Sequence, residues 1–153
     1  MNTIESTGTA PLLRVVLVDA RPERRELIRH LIEATGLADG EVGEAGSREE
    51  AVELLQRADR DVAVVEIQMP VRQGLETIAA LRRQSADLRI VVCSFHGDPE
   101  TKEMALTGGA DVYLDKPVSS ESLKGVFRRF LPEDRTGFDL DLRTQEQRQP
   151  TEA

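Results

Sequence analysis

This sequence predicts an α/β fold, a parallel sheet with helices packed on both faces, and three observations carry that reading. Five short apolar runs of strand length alternate with five helical stripes, and this alternation is built from right-handed strand–helix–strand crossovers. The stretch DVAVVEIQMPVRQG, Asp61 to Gly74, has the continuous Val/Ala/Ile run of a strand buried on both faces. It closes on Met69, Pro70 and Gly74. That central run delivers a lone acid, Glu66, to its end, and in open α/β sheets the chemistry gathers just beyond the carboxyl ends of the strands.

The bulk properties narrow the function classes. The chain has 153 residues, enough for one domain with a closed core. A formal charge of -8 argues against direct nucleic-acid binding, which needs clustered Lys and Arg against phosphate. The start, MNTIESTGTAPLLR, has no charged region followed by an apolar one, and no apolar run exceeds strand length. Neither export nor membrane insertion is expected, and the expected compartment is the cytoplasm. The single cysteine, Cys93, lies in the apolar context IVVCS and reads as a buried thiol.

In chain order, residues 1–11 form a polar leader expected to be disordered, and residues 12–131 the folded domain. Leu13 to Val18 is the first strand, ending in Asp19. Pro22 suits the first turn of a helix whose apolar stripe is Leu27, Ile28, Leu31 and Ile32, as far as Gly36. Val42 and Ala45 mark a weak second strand, and Ser47 with Glu50 forms a capping-box signal ahead of Ala51, Leu54, Leu55 and Ala58. The central strand follows, then a third helix from Leu75 to Gln84. Leu88 to Cys93 is the fourth strand, leading to Ser94. Asp98 and Pro99 start a poorly amphipathic helix that Gly108 and Gly109 stop. Ala110 to Leu114 is the fifth strand. Ser119 caps a last helix with Leu123, Val126, Phe127 and Phe130 inward. Residues 132–153 are acidic and aperiodic, an expected disordered tail in which Phe138 and Leu140 are the large apolar residues.

From Leu13 to Leu131 the sequence resembles the receiver domain of bacterial two-component response regulators. The match is carried by VLVDARP, EIQMPVRQGLE, VVCSFHGD and GADVYLDKPVSSESL, in that order and spacing. The resemblance implies a flavodoxin-like (βα)5 fold, a doubly wound five-stranded parallel sheet in a three-layer α/β/α arrangement. It also implies roles by position. Asp19 matches the first acid of the family's acidic pair, but Ala20 stands where the second, a magnesium ligand, belongs, and Arg21 follows where another acid is frequent. Glu66 replaces the phosphoacceptor aspartate. Ser94 and Tyr113 match the switch residues, Lys116 the strand-five lysine, and Pro117 the proline that follows a cis bond.

These departures have physical consequences. Mg²⁺ demands a near-octahedral shell of hard oxygens that includes carboxylate. Here Asp19 and Glu66 face Lys116 and Arg21, two charges against two, which leaves little to attract a dication. Loss of Mg²⁺ binding is therefore expected, with no cofactor and no other metal. Arg21 either fills the cation's place through two parallel hydrogen bonds to carboxylate or points to solvent. Glu66 reaches one methylene further than aspartate. It either imitates phosphoaspartate in part, with Ser94 and Tyr113 responding, or only salt-bridges Lys116.

Other candidates read as structural. His30 lies mid-helix beside Arg29 and reads as solvated, and His96 has no second ligand at metal spacing. Ser94 lacks the G-x-S-x-G elbow of a hydrolase, and Gly108-Gly109 lacks the contexts of nucleotide-binding loops. The expectation is a stand-alone pseudo-receiver, not an enzyme, that signals through a protein partner without phosphorylation. The partner is a sensor kinase, a regulator or output protein, or a second copy docked on the helix 4–strand 5–helix 5 face, with Lys102, Asp111 and Arg128 offering charges. Two alternatives stay open: a receiver phosphorylated by an unusual route, and a regulator that senses a small molecule in the degenerate pocket.

Overall fold

Strands β1 (Val15–Val18), β2 (Gly43–Ala45), β3 (Val62–Ile67), β4 (Arg89–Ser94) and β5 (Val112–Asp115) form one sheet in the order β2-β1-β3-β4-β5. All four neighbouring pairs are parallel. The computed structural model describes residues 12–68, 70–94 and 98–132. The leader through residue 11, Met69, Phe95, His96, Gly97, and the tail from residue 133, with Phe138 and Leu140, lie outside the described residues. Helices α1 (Pro22–Ala34), α2 (Arg48–Arg57), α3 (Val71–Gln84), α4 (Pro99–Thr107) and α5 (Ser120–Phe130) follow the strands in turn. The three-layer α/β/α expectation therefore holds, with strand ends displaced by up to two residues.

Side-chain alternation along the strands divides the core in two. Val16, Val18, Ala63, Val65 and Ile67 pack with Ala51 of α2, Ile78 and Leu81 of α3, and Ala105 of α4. Val15, Leu17, Val62 and Val64 pack with Ile28 and Ile32 of α1 and with Leu123, Val126 and Phe127 of α5. Glu66 has the parity of Val62 and Val64. Its side chain therefore leaves the sheet on the side of α1 and α5, which decides which cations meet it.

Three local expectations are corrected. Helix α3 begins at Val71 rather than Leu75, so Gly74 lies inside its first turn instead of before it. A Cβ at Gly74 would come 2.7 Å from Ile67 Cγ1, so glycine serves here to let the helix pack close against β3. Leu27 is not part of the inward stripe of α1: it is 59% exposed, while Ile28 and Ile32 are buried. At α2, Ser47 does accept from the Glu50 amide, but the Glu50 carboxylate accepts from the Gly46 amide rather than that of Ser47. Asp98 and Ser119 cap α4 and α5 as expected, the latter in a reciprocal box with Ser122. At Gly109 the backbone has φ 128, a conformation that favours glycine and ends the α4 segment.

Candidate functional site at the carboxyl edge of the sheet

The order of strands reverses about β1, since β2 lies to one side of it and β3 to the other. The loops after β1 and β3 therefore splay apart and leave a crevice at the carboxyl edge. A cavity of about 380 Å³ opens there, walled by Asp19, Ala20, Glu66 and Gln68 with Ser47 and Thr77 of the helical rim. Asp19 and Glu66 are both buried.

Glu66 is held by two cations. Lys116, from the loop after β5, pairs with Glu66 Oε1, and the two side chains are only 5% and 3% exposed. Arg24 Nη1 donates to Glu66 Oε2 at 3.2 Å. Burial raises the Glu66 carboxyl above the ordinary glutamate range and nearby Asp19 adds to this, while Lys116 and Arg24 pull it back. Asp19 is held differently. Its Oδ1 accepts from Gln68 Nε2 at 2.9 Å and from the Arg21 amide at 2.9 Å. Its Oδ2 is buried and meets no hydrogen-bond donor among the described residues.

Arg21 is not the cation that meets Glu66. It is the extended N-cap residue of α1, with an exposed side chain, and only its backbone amide serves the site. The cation comes from one turn further on. Arg24 stands four and eight residues before Ile28 and Ile32, so it continues the buried face of α1 up to the carboxyl edge of the sheet. That spacing was the available signal. Leu27 and Leu31 stand three and seven residues after Arg24, so the whole expected stripe lies on the side of the helix that Arg24 continues.

Ser94, Tyr113 and Lys116 lie at the same edge of the sheet. Ser94 ends β4, is fully buried, and donates to the Ile67 carbonyl at 3.2 Å. Tyr113, on the neighbouring strand β5, shares a hydrogen bond with Ser94; burial pushes its phenol up and that bond pulls it down. The Lys116–Pro117 peptide is cis. Cys93 pairs in register with Glu66 across β3 and β4, and burial, then the Glu66 charge, pushes its thiol up to about 12. It is an inert core thiol, as expected. His30 is exposed, and His96 lies outside the described residues.

An open parallel sheet in this order, with two acids, a lysine and a strand-four hydroxyl converging at its carboxyl edge, defines a receiver-type signalling domain. Residues 15–128 match the family described as the response regulator receiver domain, and the chain belongs to that family. It is 33% identical over 111 residues to the chemotaxis protein CheY of Halobacterium salinarum, covering 72% of this chain and 89% of that protein. It is 37% identical over 109 residues to the nitrate/nitrite response regulator protein NarL of Escherichia coli, covering 71% of this chain but 50% of NarL. Among solved structures, chemotaxis protein CheY4 of Vibrio cholerae matches with a TM-score of 0.68 at 30% identity, over 78% of this chain and 99% of CheY4.

The family implies a divalent cation beside the phosphoacceptor position, and this donor set does not fit one. The orphaned Asp19 Oδ2 is suited to a cation, but Ala20 brings no carboxylate and both Glu66 oxygens already face Lys116 and Arg24. Among the described residues, no group of three or more His, Cys, Asp and Glu side chains is placed to hold a metal. No helix among them is long and apolar enough to cross a membrane.

Proposed function

We propose that this receiver domain acts in two-component signalling by phosphorylation-independent protein–protein interaction, as a pseudo-receiver that carries out no phosphoryl chemistry. The observation that carries this reading is the double pairing of Glu66, whose two oxygens are taken by Lys116 and Arg24 inside a buried site. Attack on a phosphodonor needs a carboxylate oxygen free to align with a metal-bound phosphoryl group. Acetyl phosphate or phosphoramidate with Mg²⁺ is expected to leave the intact mass unchanged. A stoichiometric gain of one phosphoryl group would overturn the reading in favour of a receiver phosphorylated by an unusual route.

The contact between Tyr113 and Ser94 favours a finer version, in which Glu66 holds the pocket in one signalling state as a partial stand-in for phosphoaspartate. Tyr113 is the chain's one tyrosine and there is no tryptophan, so ultraviolet emission reports that residue alone. In this version Glu66→Ala shifts the Tyr113 emission; an unchanged spectrum leaves Glu66 a passive salt-bridge partner.

The partner surface proposed is α4–β5–α5, where Met104 and Leu106 are exposed apolar residues and Lys102 and Arg128 exposed cations. Asp111 is withdrawn from it. Its Oδ2 accepts from Arg82 at 3.0 Å and from the Ile90 amide at 2.8 Å, which commits it to the start of β4. The occupant is a kinase, a regulator, an output protein or a second copy. Sedimentation as a monomer at micromolar concentration would exclude the second copy.

A further inference from the structure

Arg24 is placed against its own helix. It is the third residue of α1, where the unpaired amides of the first turn carry partial positive charge, and a cation there works against the helix dipole. Among the described residues no side chain caps this end of α1, and Glu23 is the one acid of its first turn. A sequence choice that opposes local preference needs a tertiary reason, and the reason lies across the pocket. Arg24 reaches Glu66 Oε2 from the α1 side while Lys116 holds Oε1 from the β5 side. The two side chains face one carboxylate from two directions, and Asp19 lies near enough to raise the Glu66 carboxyl.

Around these groups the negative charge is not fully used. Asp19 is 2% exposed, and its Oδ2 has no hydrogen-bond partner among the described residues. A buried carboxylate oxygen with no donor is costly unless a positive charge stands close by. Asp19 and Glu66 each bring one negative charge, which Lys116 alone does not balance. Arg25 of α1 donates to the Asp19 carbonyl at 2.7 Å but its charge is paired with Glu44, so it is Arg24, on Glu66 Oε2, that supplies the missing unit of charge without any exchangeable ion.

We infer that Arg24 is a tethered substitute for a divalent cation, keeping the Asp19–Glu66 pocket electrically complete and indifferent to metal. This deepens the pseudo-receiver reading and rests on it: the chain holds as a covalent part of α1 the charge that its relatives' fold leaves to an ion. The inference commits to a latent site. Once Arg24 loses its charge, Glu66 Oε2 and Asp19 Oδ2 become two carboxylate oxygens available to a hard dication, with water completing the shell.

The test compares the natural protein with Arg24→Gln and Arg24→Lys, each melted in chelator and in millimolar Mg²⁺ or Mn²⁺, with bound Mn²⁺ counted by electron paramagnetic resonance. The natural protein and the charge-keeping Arg24→Lys should show no cation-dependent change. Arg24→Gln should gain about 3 °C or more in Tm with metal, since a ligand stabilises by its preference for the folded state. That gain should vanish when Asp19→Asn is added. A merely structural role for Arg24 would lower Tm in the variants without creating any response to metal. The inference is overturned if the natural protein binds Mn²⁺ in this pocket, if Arg24→Lys gains as much as Arg24→Gln, or if Arg24→Gln gains nothing. Should Arg24→Gln be unfolded in chelator, refolding on addition of Mn²⁺ is the expected result and failure to refold the contrary one. Phosphoryl transfer is read separately, by mass: a metal response of the natural protein with unchanged mass sinks this inference and leaves the pseudo-receiver reading standing.

Discussion

Strand β3 has a carboxylate at each end, and the two lie in opposite electrostatic surroundings. Asp61, just before the strand, accepts from the Arg14 backbone amide at 2.7 Å and from Arg14 Nε and Nη2 at 3.0 and 2.9 Å. Its own amide donates back to the Arg14 carbonyl at 2.8 Å, so β1 and β3 are clamped where both begin. The Arg14 hydrogen bonds hold the Asp61 carboxyl below the ordinary aspartate range. Glu66, near the other end, is deeper, and burial raises it despite two cations. Asp111 repeats the pattern of Asp61 at the start of β4, through Arg82 and the Ile90 amide. The amino edge of the sheet thus uses carboxylates to fix strands, with their lone pairs satisfied. The carboxyl edge keeps its carboxylates desolvated and incompletely satisfied, as functional sites do.

The largest effect expected from breaking this contrast is at Lys116. Lys116→Met leaves Glu66 buried with Arg24 alone, and removing one member of a buried ion pair costs about 3 kcal/mol. Urea denaturation at neutral pH measures it. Adding Glu66→Gln should restore much of the loss, because the uncompensated charge goes with it.

A smaller loss is expected at the amino edge. Asp61→Asn keeps the shape but weakens a charge-assisted clamp that is partly open to water, at about 1–2 kcal/mol. A loss at Asp61 equal to that at Lys116 would erase the distinction between the two edges.

The smallest effects are in pH dependence, and they carry opposite signs. The folded Asp61 carboxyl lies below the ordinary aspartate value of 3.8, so its contribution is present above that value and is lost as pH falls through the lower folded one. Glu66 lies above the ordinary glutamate value of 4.5, so its contribution is fully present below that value and is lost as pH rises through the raised one. Glu66→Gln leaves the buried Lys116 without its anion and carries that cost, but relative to the natural protein its stability should improve as pH rises through the raised Glu66 value and worsen on acidification. Asp61→Asn should show its full cost at neutral pH and a shrinking one in acid. Denaturation midpoints at neutral pH and just below the ordinary carboxylate range separate the two cases. The same direction of change in both variants would mean that burial does not dominate at Glu66.

Much of this was legible in the sequence because the signals are local. Strand-length apolar runs, the caps Asp98 and Ser119, and an acid at the end of the central run depend on short-range geometry that residue types fix by themselves. Ser94, Tyr113 and Lys116 could be placed at one edge because parallel strands bring their carboxyl ends together. Gly74 misled because a glycine that closes the loop after a strand and one that lets a helix lie close to a strand look alike until Ile67 is seen beneath it.

What only the tertiary structure decided is which charges meet. The sequence put Arg21 beside Asp19 and made it the natural candidate, but a cation's partner depends on where its helix begins and which face that helix buries. The helix starts at Pro22, which leaves Arg21 extended and exposed, while the line from Arg24 through Ile28 and Ile32 runs along the sheet to Glu66. The parity of β3 sends Glu66 toward α1 and α5, and the packing of α1 on that face brings Arg24 to it. Neither fact is contained in the residues around Glu66. By itself the sequence determined that a strand would carry one acid to the edge of the sheet; the packing of a helix 42 residues away in the chain determined the cation that holds it.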